Sequence, residues 1–236
     1  MRKLISIIDA SVSYRSGLPL FKPKSLNHVL KGISFDIYEG DSIGIIGRNG
    51  VGKSTLLSLL NGIIKPNSGS VINYGYSTTL LSLNVSYDIN VSGYHNAILS
   101  GMMLGINKSE MIRLMPSIIS YSELGEFINQ PIKNYSTGMK QRLGFAVAIN
   151  INSDILLIDE ILGVGDARFM EKSKETMRKK LTSGDTVVLV SHHSQTIKSL
   201  CNKAIWIEDG KINRSGDAKE VIEEYEKFII KEFSEH

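Results

Sequence analysis

The sequence is short of several things. Its 236 residues include one cysteine, Cys201, which excludes an intramolecular disulfide framework and fits a reducing compartment. No apolar run approaches the ~18 residues of a membrane-spanning helix. The LISII run near the N-terminus is too short for the apolar part of a signal peptide, and no cleavage site follows it. The chain is therefore expected to be soluble, with any membrane association supplied by a partner. Charge of one sign is scarce too. Against 24 Asp and Glu, 27 Lys and Arg leave a net charge of +3, too weak an excess for a nucleic-acid partner, which needs a concentrated basic stripe.

What is present begins with four short apolar runs: SIGIIG from Ser42, ILLID from Ile155, TVVLVS from Thr186 and AIWIE from Ala204. Continuous rather than alternating hydrophobicity predicts strands buried on both faces, as in a parallel sheet covered by helices. Between the second and third runs, ARFMEKSKETMRKKLTSG reads as a charged amphipathic helix closed by Gly184, which gives the strand–helix–strand order of an α/β fold. The N-terminal third differs. KLISIIDASVSY, GISFDIYEGDSI and GSVINYGYSTTLLSL predict shorter strands joined at Gly and Asp turns, forming an antiparallel layer. From about Val85 to Asn150 the strand signals give way to consecutive helices, an insert in the α/β core. The last segment, AKEVIEEYEKFIIKEF, places Val221, Ile222, Tyr225, Phe228 and Ile229 on one side of a helix.

Chemistry concentrates in a few places. GRNGVGKST follows an apolar run, opens a helix and fits the phosphate-loop pattern. Gly47, Gly50 and Gly52 permit tight turns whose N–H groups can encircle phosphate oxygens. Lys53 can neutralise the β- and γ-phosphates, and the Ser54 hydroxyl can ligate Mg²⁺. A glycine turn capping a core helix is the plainer alternative, and the strand–loop–helix context argues against it. ILLIDE ends a buried strand with Asp159 and Glu160, at the end where open α/β sheets bind ligands. Beside a phosphate loop, Asp159 is expected to hold Mg²⁺ and Glu160 to orient the attacking water. VLVSHH ends another strand with His192 and His193, and an imidazole there could reach the γ-phosphate; His192 is favoured because it follows the strand more directly.

YSTGMKQRLGFAVA reads as a second exposed helix start, with Ser136, Thr137 and Gly138 at its tip. Unpaired N–H groups and a partial positive charge make such an end an anion site, although a plain capped core helix has the same spacing. If two copies pack head-to-tail, each Ser136–Gly138 end can close over the other copy's γ-phosphate, so that ATP joins a homodimer and hydrolysis releases it.

Over essentially its whole length the chain resembles the nucleotide-binding subunit of ABC (ATP-binding cassette) transporters. GRNGVGKST is similar to the family's Walker A motif, YSTGM to its signature, ILLIDE to Walker B, GVGD to its D-loop and His192 to its switch histidine. The resemblance implies one ABC-type P-loop ATPase domain over 1–236, α/β, with a mixed core sheet, an antiparallel β layer and an inserted helical subdomain. The core takes about 1–84 and 151–216, the helical subdomain about 85–150 and a C-terminal helix 217–236. It implies ATP and Mg²⁺ as ligands. Gly47, Arg48, Asn49, Gly50, Val51, Gly52, Lys53, Ser54 and Thr55 are assigned to the nucleotide, with Tyr14 as the aromatic that stacks on adenine. Glu160, His192 and Lys53 are the catalytic set, Ser54 and Asp159 the metal ligands, Ser136, Thr137 and Gly138 the contact across the dimer, and Gly165 and Asp166 the D-loop.

Within that family, YSTGMKQRLGFA, VGDARF, SLCNKAIWIEDGKI and SGDAKEVIEEY resemble ATPases that export O-antigen, capsular polysaccharide or teichoic acid. The implied assembly is two ATPase subunits on the cytoplasmic face of the cell membrane beneath two integral membrane permease subunits, which carry a lipid-linked glycan and leave the ATPase little part in choosing it. No nucleic-acid partner is implied. A soluble ABC ATPase acting on ribosomes or DNA, or a regulatory module that no longer hydrolyses, is the alternative. The chain has neither tandem cassettes nor a long coiled-coil insertion, and it keeps Lys53, Asp159, Glu160 and His192. Two departures stand out. The signature reads Tyr-Ser-Thr-Gly-Met in place of Leu-Ser-Gly-Gly-Gln, and the glutamine expected before the helical insert falls on Leu83–Asn84.

Overall fold

A computed structural model describes residues 1–16, 25–81, 87–159 and 166–234. In chain order the elements begin with β1 (Lys3–Ser16), β2 (Ser25–Tyr38), β3 (Ser42–Ile46), α1 (Lys53–Leu60), β4 (Ser68–Asn73) and β5 (Thr78–Leu81). Helices α2 (Gly93–Met103), α3 (Lys108–Ser122) and α4 (Thr137–Asn150) come next, with two 3-10 turns before α4. Then follow β6 (Ile155–Asp159), α5 (Ala167–Thr182), β7 (Thr186–Val190), α6 (Ser194–Leu200), β8 (Lys203–Glu208), β9 (Lys211–Asp217) and α7 (Ala218–Ser234). Two compact units emerge. One comprises Met1–Thr78, Asp154–Glu160 and Lys180–His236; the other comprises Thr79–Ser153 and Ile161–Lys179.

In the first unit the apolar runs are the strands that their continuity predicts. β3 and β7 are buried at every position, and β6, β7, β3, β8 and β9 lie side by side in that order. All but β9 run parallel. Register then sets the site: Asp159 of β6 is level with Val190 of β7, and Val190 with Ile45 of β3. The carboxyl ends of three strands therefore open at one edge. β9 is a polar, mostly exposed strand antiparallel to β8; its KINRSGD sequence shows no apolar alternation to announce it.

A separate antiparallel layer has the order β2-β1-β4. Here the GSVINYGYSTTLLSL stretch divides. β4 joins the layer, whereas β5 stands outside it. Asn73 makes the break: its Oδ1 accepts from the Gly75 and Tyr76 N–H groups at 3.0 and 2.8 Å, and its Nδ2 donates to the Tyr76 carbonyl at 2.8 Å, a side chain closing a turn on its own backbone. On α7, Ala218, Val221 and Ile222 are buried against Ile46, Ile197, Ala204 and Trp206, each large apolar side chain contributing ~1.5–3 kcal/mol.

The second unit is helical at its centre. Asn107 caps α3 by accepting from the Glu110 N–H at 2.9 Å. Its core gathers Ala97 and Ile98 of α2, Met111, Met115 and Ile118 of α3, and Leu143, Ala146 and Val147 of α4. Phe145 and Phe169 meet edge-on with centroids 6.0 Å apart, beside Tyr121. Lys172 lies 4.4 Å from the Tyr121 ring centroid and pairs with Glu123 at 2.8 Å. Among the described residues no helix is long and apolar enough to cross a membrane.

Candidate functional site

The turn from β3 into α1 is built around backbone that tolerates no side chain. A Cβ on Gly47 would lie 2.2 Å from the Ile207 carbonyl oxygen of β8. Gly52, the N-cap of α1, has φ 106° and ψ 11°, and a Cβ there would lie 3.0 Å from the Val29 carbonyl. Glycine is the residue that meets both demands. The loop between them ends on Lys53, whose side chain is only 6% exposed. Its Nζ donates to the carbonyls of Gly47 at 2.7 Å and Arg48 at 2.8 Å. The loop thus folds round its own ammonium group and holds that charge at the start of a helix, where the macrodipole also favours an anion.

This loop forms one wall of a cavity of about 310 Å³ lined by Val29, Asn49, Gly50, Gly52, Lys53, Ser54, Thr55, Asp159, Val190 and His192. Three strand ends therefore deliver their polar residues to one space: Lys53 and Ser54 after β3, Asp159 at the end of β6, His192 after β7. His193 goes elsewhere, to the N-cap position of α6, which separates the two histidines that the sequence leaves adjacent. Gly47, Arg48 and Val51 belong to the loop but not to this wall. Tyr14 sits on β1 opposite Asn27, 46% exposed, and is not among the lining residues.

Magnesium fits the donors present. Ser54 and Asp159 offer hard oxygen ligands beside the lysine, and Mg²⁺ usually takes one or two protein ligands and completes its shell with phosphate and water. The described residues contain no group of three or more His, Cys, Asp or Glu that could hold a metal ion. Glu160, Gly165 and the Leu83–Asn84 pair lie outside the described residues.

The second helix start lies in the other unit. Ser136 is the N-cap of α4, and its Oγ accepts from the Met139 N–H at 3.2 Å; Thr137 and Gly138 open the helix. Tyr135 carries a contact that its place in the sequence does not announce. Its ring is buried and its Oη donates to the Phe127 carbonyl at 2.6 Å. That bond fixes the residue before the cap, and burial pushes the phenol pKa up to about 12. The hydroxyl that tyrosine brings where the family pattern has leucine shares that carbonyl with the Gln130 N–H, which donates to it at 2.9 Å. Asp166 stands just before α5, accepting from the Phe169 N–H at 2.9 Å with Arg142 3.8 Å away. The backbone bond from Phe169 first, then the Arg142 charge, hold its carboxyl below the usual aspartate range.

A parallel sheet opening its strand ends on a phosphate loop defines a class of nucleotide-binding cassette, and comparison with known proteins places the chain within it. The ABC transporter family model matches residues 30–163, and the chain belongs to that family. It is 45% identical over 214 residues to the teichoic acids export ATP-binding protein TagH of Listeria innocua, covering 89% of this chain and 64% of that protein. To the O-antigen export system ATP-binding protein RfbB of Klebsiella pneumoniae it is 39% identical over 216 residues, covering 88% of each. The chain spans under two thirds of the Listeria relative's length. Among solved structures, a dimeric ATP-binding cassette in a post-hydrolysis state bound to ADP and Pi superposes with a TM-score of 0.73 at 22% identity, over 91% of this chain and 99% of that one. An ATP-binding subunit of an ABC transporter gives 0.75 at 20% identity, over 94% and 93%. At those identities the likeness establishes the fold.

Proposed function

We propose that this chain is the ATP-hydrolysing subunit of an exporter of lipid-linked surface polysaccharide, working as a homodimer beneath a separate integral membrane permease at the cytoplasmic face of the membrane. One observation carries the catalytic part: Lys53, Ser54, Asp159 and His192 line a single cavity at aligned strand ends. Identity of 39–45% to subunits named for teichoic acid and O-antigen export supports the cargo class.

In this reading Lys53, held by the loop carbonyls, turns its remaining N–H and its charge to the β- and γ-phosphates, and the N–H groups from Gly50 to Thr55 take the remaining oxygens. Ser54 and Asp159 hold Mg²⁺, which, when bound, neutralises charge on the β- and γ-phosphate oxygens. Glu160 orients and polarises the attacking water, and His192 meets the γ-phosphate from the neighbouring strand. The Ser136–Gly138 helix end of a second copy closes the site, so that binding joins the subunits and hydrolysis parts them.

The export reading is tested by affinity purification of the tagged chain from membranes of its own cells, together with surface-glycan staining of cells carrying Lys53→Ala. Expected are an integral membrane protein in stoichiometric amount and loss of one surface polysaccharide. Recovery of ribosomes instead, with normal surface glycan, would reject it.

A further inference from the structure

The C-terminal helix reaches the phosphate loop by two routes. Its buried face packs on Ile46, the residue that feeds Gly47. Further along, the Phe228 ring lies 4.9 Å from Trp206 between centroids, and the Arg48 guanidinium lies 5.5 Å from the Phe228 centroid. Arg48 is the second residue of the loop. Its Nη2 pairs with Glu232 on α7, and its Nε lies 3.7 Å from Glu208 at the end of β8. The carbonyl of the same residue accepts from Lys53 Nζ at 2.8 Å. Arg48 therefore has its side chain pinned chiefly by α7 and its backbone bonded to the ammonium that is to meet phosphate.

We infer that Glu232 and Phe228 are positioning residues for nucleotide: they fix Arg48, and through its backbone they keep the loop and Lys53 arranged for phosphate before it arrives. The inference rests on the reading of this loop as the ATP phosphate site. Two features favour that role over simple stabilisation. The Arg48 and Glu232 side chains are 42% and 41% exposed, and exposed pairs of this kind add little to global stability. The neighbouring residues Asn49 and Gly50, moreover, line both the 310 Å³ cavity and a second cavity of about 330 Å³ on the Arg48 and Glu208 side. A loop held from that second side loses less freedom when it binds, and preorganisation of this kind acts on affinity. It also gives the fold a lever, since any displacement of α7 is transmitted to the phosphate site.

The test is ATP titration and steady-state hydrolysis with the purified full chain. Glu232→Gln is expected to raise the Kd and the KM for ATP together by about fivefold, ~1 kcal/mol at a factor of ten per 1.4 kcal/mol. Its kcat and unfolding midpoint should not move, because the interaction serves bound substrate and transition state alike. Lys227→Gln, on the exposed side of the same helix, should change neither constant. In an Arg48→Ala background Glu232→Gln should add nothing, the signature of two groups acting through one contact. Wild-type affinity in Glu232→Gln, or an equal loss with and without Arg48, overturns the inference while leaving the ATP site intact. A wild-type chain that binds no ATP overturns both, and Lys53→Ala, run alongside, reports that case separately.

Discussion

Replacing Gly47 by alanine probes the phosphate loop where it is least forgiving. The added Cβ would sit 2.2 Å from the Ile207 carbonyl oxygen and 3.3 Å from its carbon. Carbon–oxygen contacts become favourable only near ~3.3 Å, so about 1 Å of separation must be found between two backbones. Neither yields readily. Ile46 is held in register with Trp206 by the β3–β8 ladder, and Ile207 pairs with Ile212 on the far side. Overpacking of this kind costs ~1–3 kcal/mol. The backbone of Gly47 at φ 155° adds strain of about the same size for a residue with a side chain. A total of ~3 kcal/mol corresponds to a fall of about 6–12 °C in the unfolding midpoint of a chain this long. A displacement of ~1 Å at the loop should also cost on the order of a hundredfold in turnover. Thermal unfolding and steady-state ATP hydrolysis measure the two effects. Wild-type turnover with a midpoint within ~2 °C of the parent would refute the reasoning, because the loop would then have slack that the geometry denies it.

Other outcomes follow from the same structure. Tyr135→Phe removes the hydroxyl from a Phe127 carbonyl that keeps the Gln130 N–H at 2.9 Å, so it should cost ~0.5–1.5 kcal/mol in denaturant unfolding, the net worth of one hydrogen bond, while leaving ATP binding to the monomer unchanged; no stability loss would remove the anchoring role. Ser136→Arg should bind ATP near normally but lose ATP-driven dimerisation and turnover, whereas unchanged hydrolysis would reduce that helix start to a cap. Glu160→Gln keeps the shape and loses the charge that polarises water, so it should bind ATP, hydrolyse it slowly and accumulate as a dimer on size-exclusion chromatography. The hydrogen bond from Lys172, then its charge, hold the Glu123 carboxyl below the usual glutamate range. A lowered carboxylate pKa stabilises the fold above the unfolded value, and that contribution is lost as pH falls through the folded one. The stability gap between wild type and Lys172→Met should therefore narrow on acidification, and a gap independent of pH would remove the ion pair from the account.

The parts of the fold legible in the sequence are those where chemistry leaves few choices. β3, β6 and β7 are continuous apolar runs because both faces are buried, and the GRNGVGKST loop is recognisable because backbone must approach backbone at Gly47 and Gly52. Nearness to the strand end favours His192 over His193 in the sequence, and the turn after β7 supplies the physical reason by placing His192 at the cavity and His193 at the start of α6. β9 escaped notice because an exposed edge strand needs no apolar period. The Tyr135 anchor and the link from Glu232 to Arg48 escaped for a different reason: each joins residues whose proximity is set by tertiary packing, and neither residue type betrays its partner. α7 shows both sides of this. Its apolar stripe predicted the packing of Val221 and Ile222, but the same pattern is silent about a glutamate one turn beyond Phe228.

The central claim, that strand ends aligned on Lys53 form a hydrolytic site, is tested most directly by phosphate release from ATP by the purified chain in the presence of Mg²⁺, with Lys53→Ala measured beside it. The account predicts steady turnover by the wild type and a loss on the order of a hundredfold or more in the variant. No phosphate release from wild type, or an undiminished rate in Lys53→Ala, would contradict it.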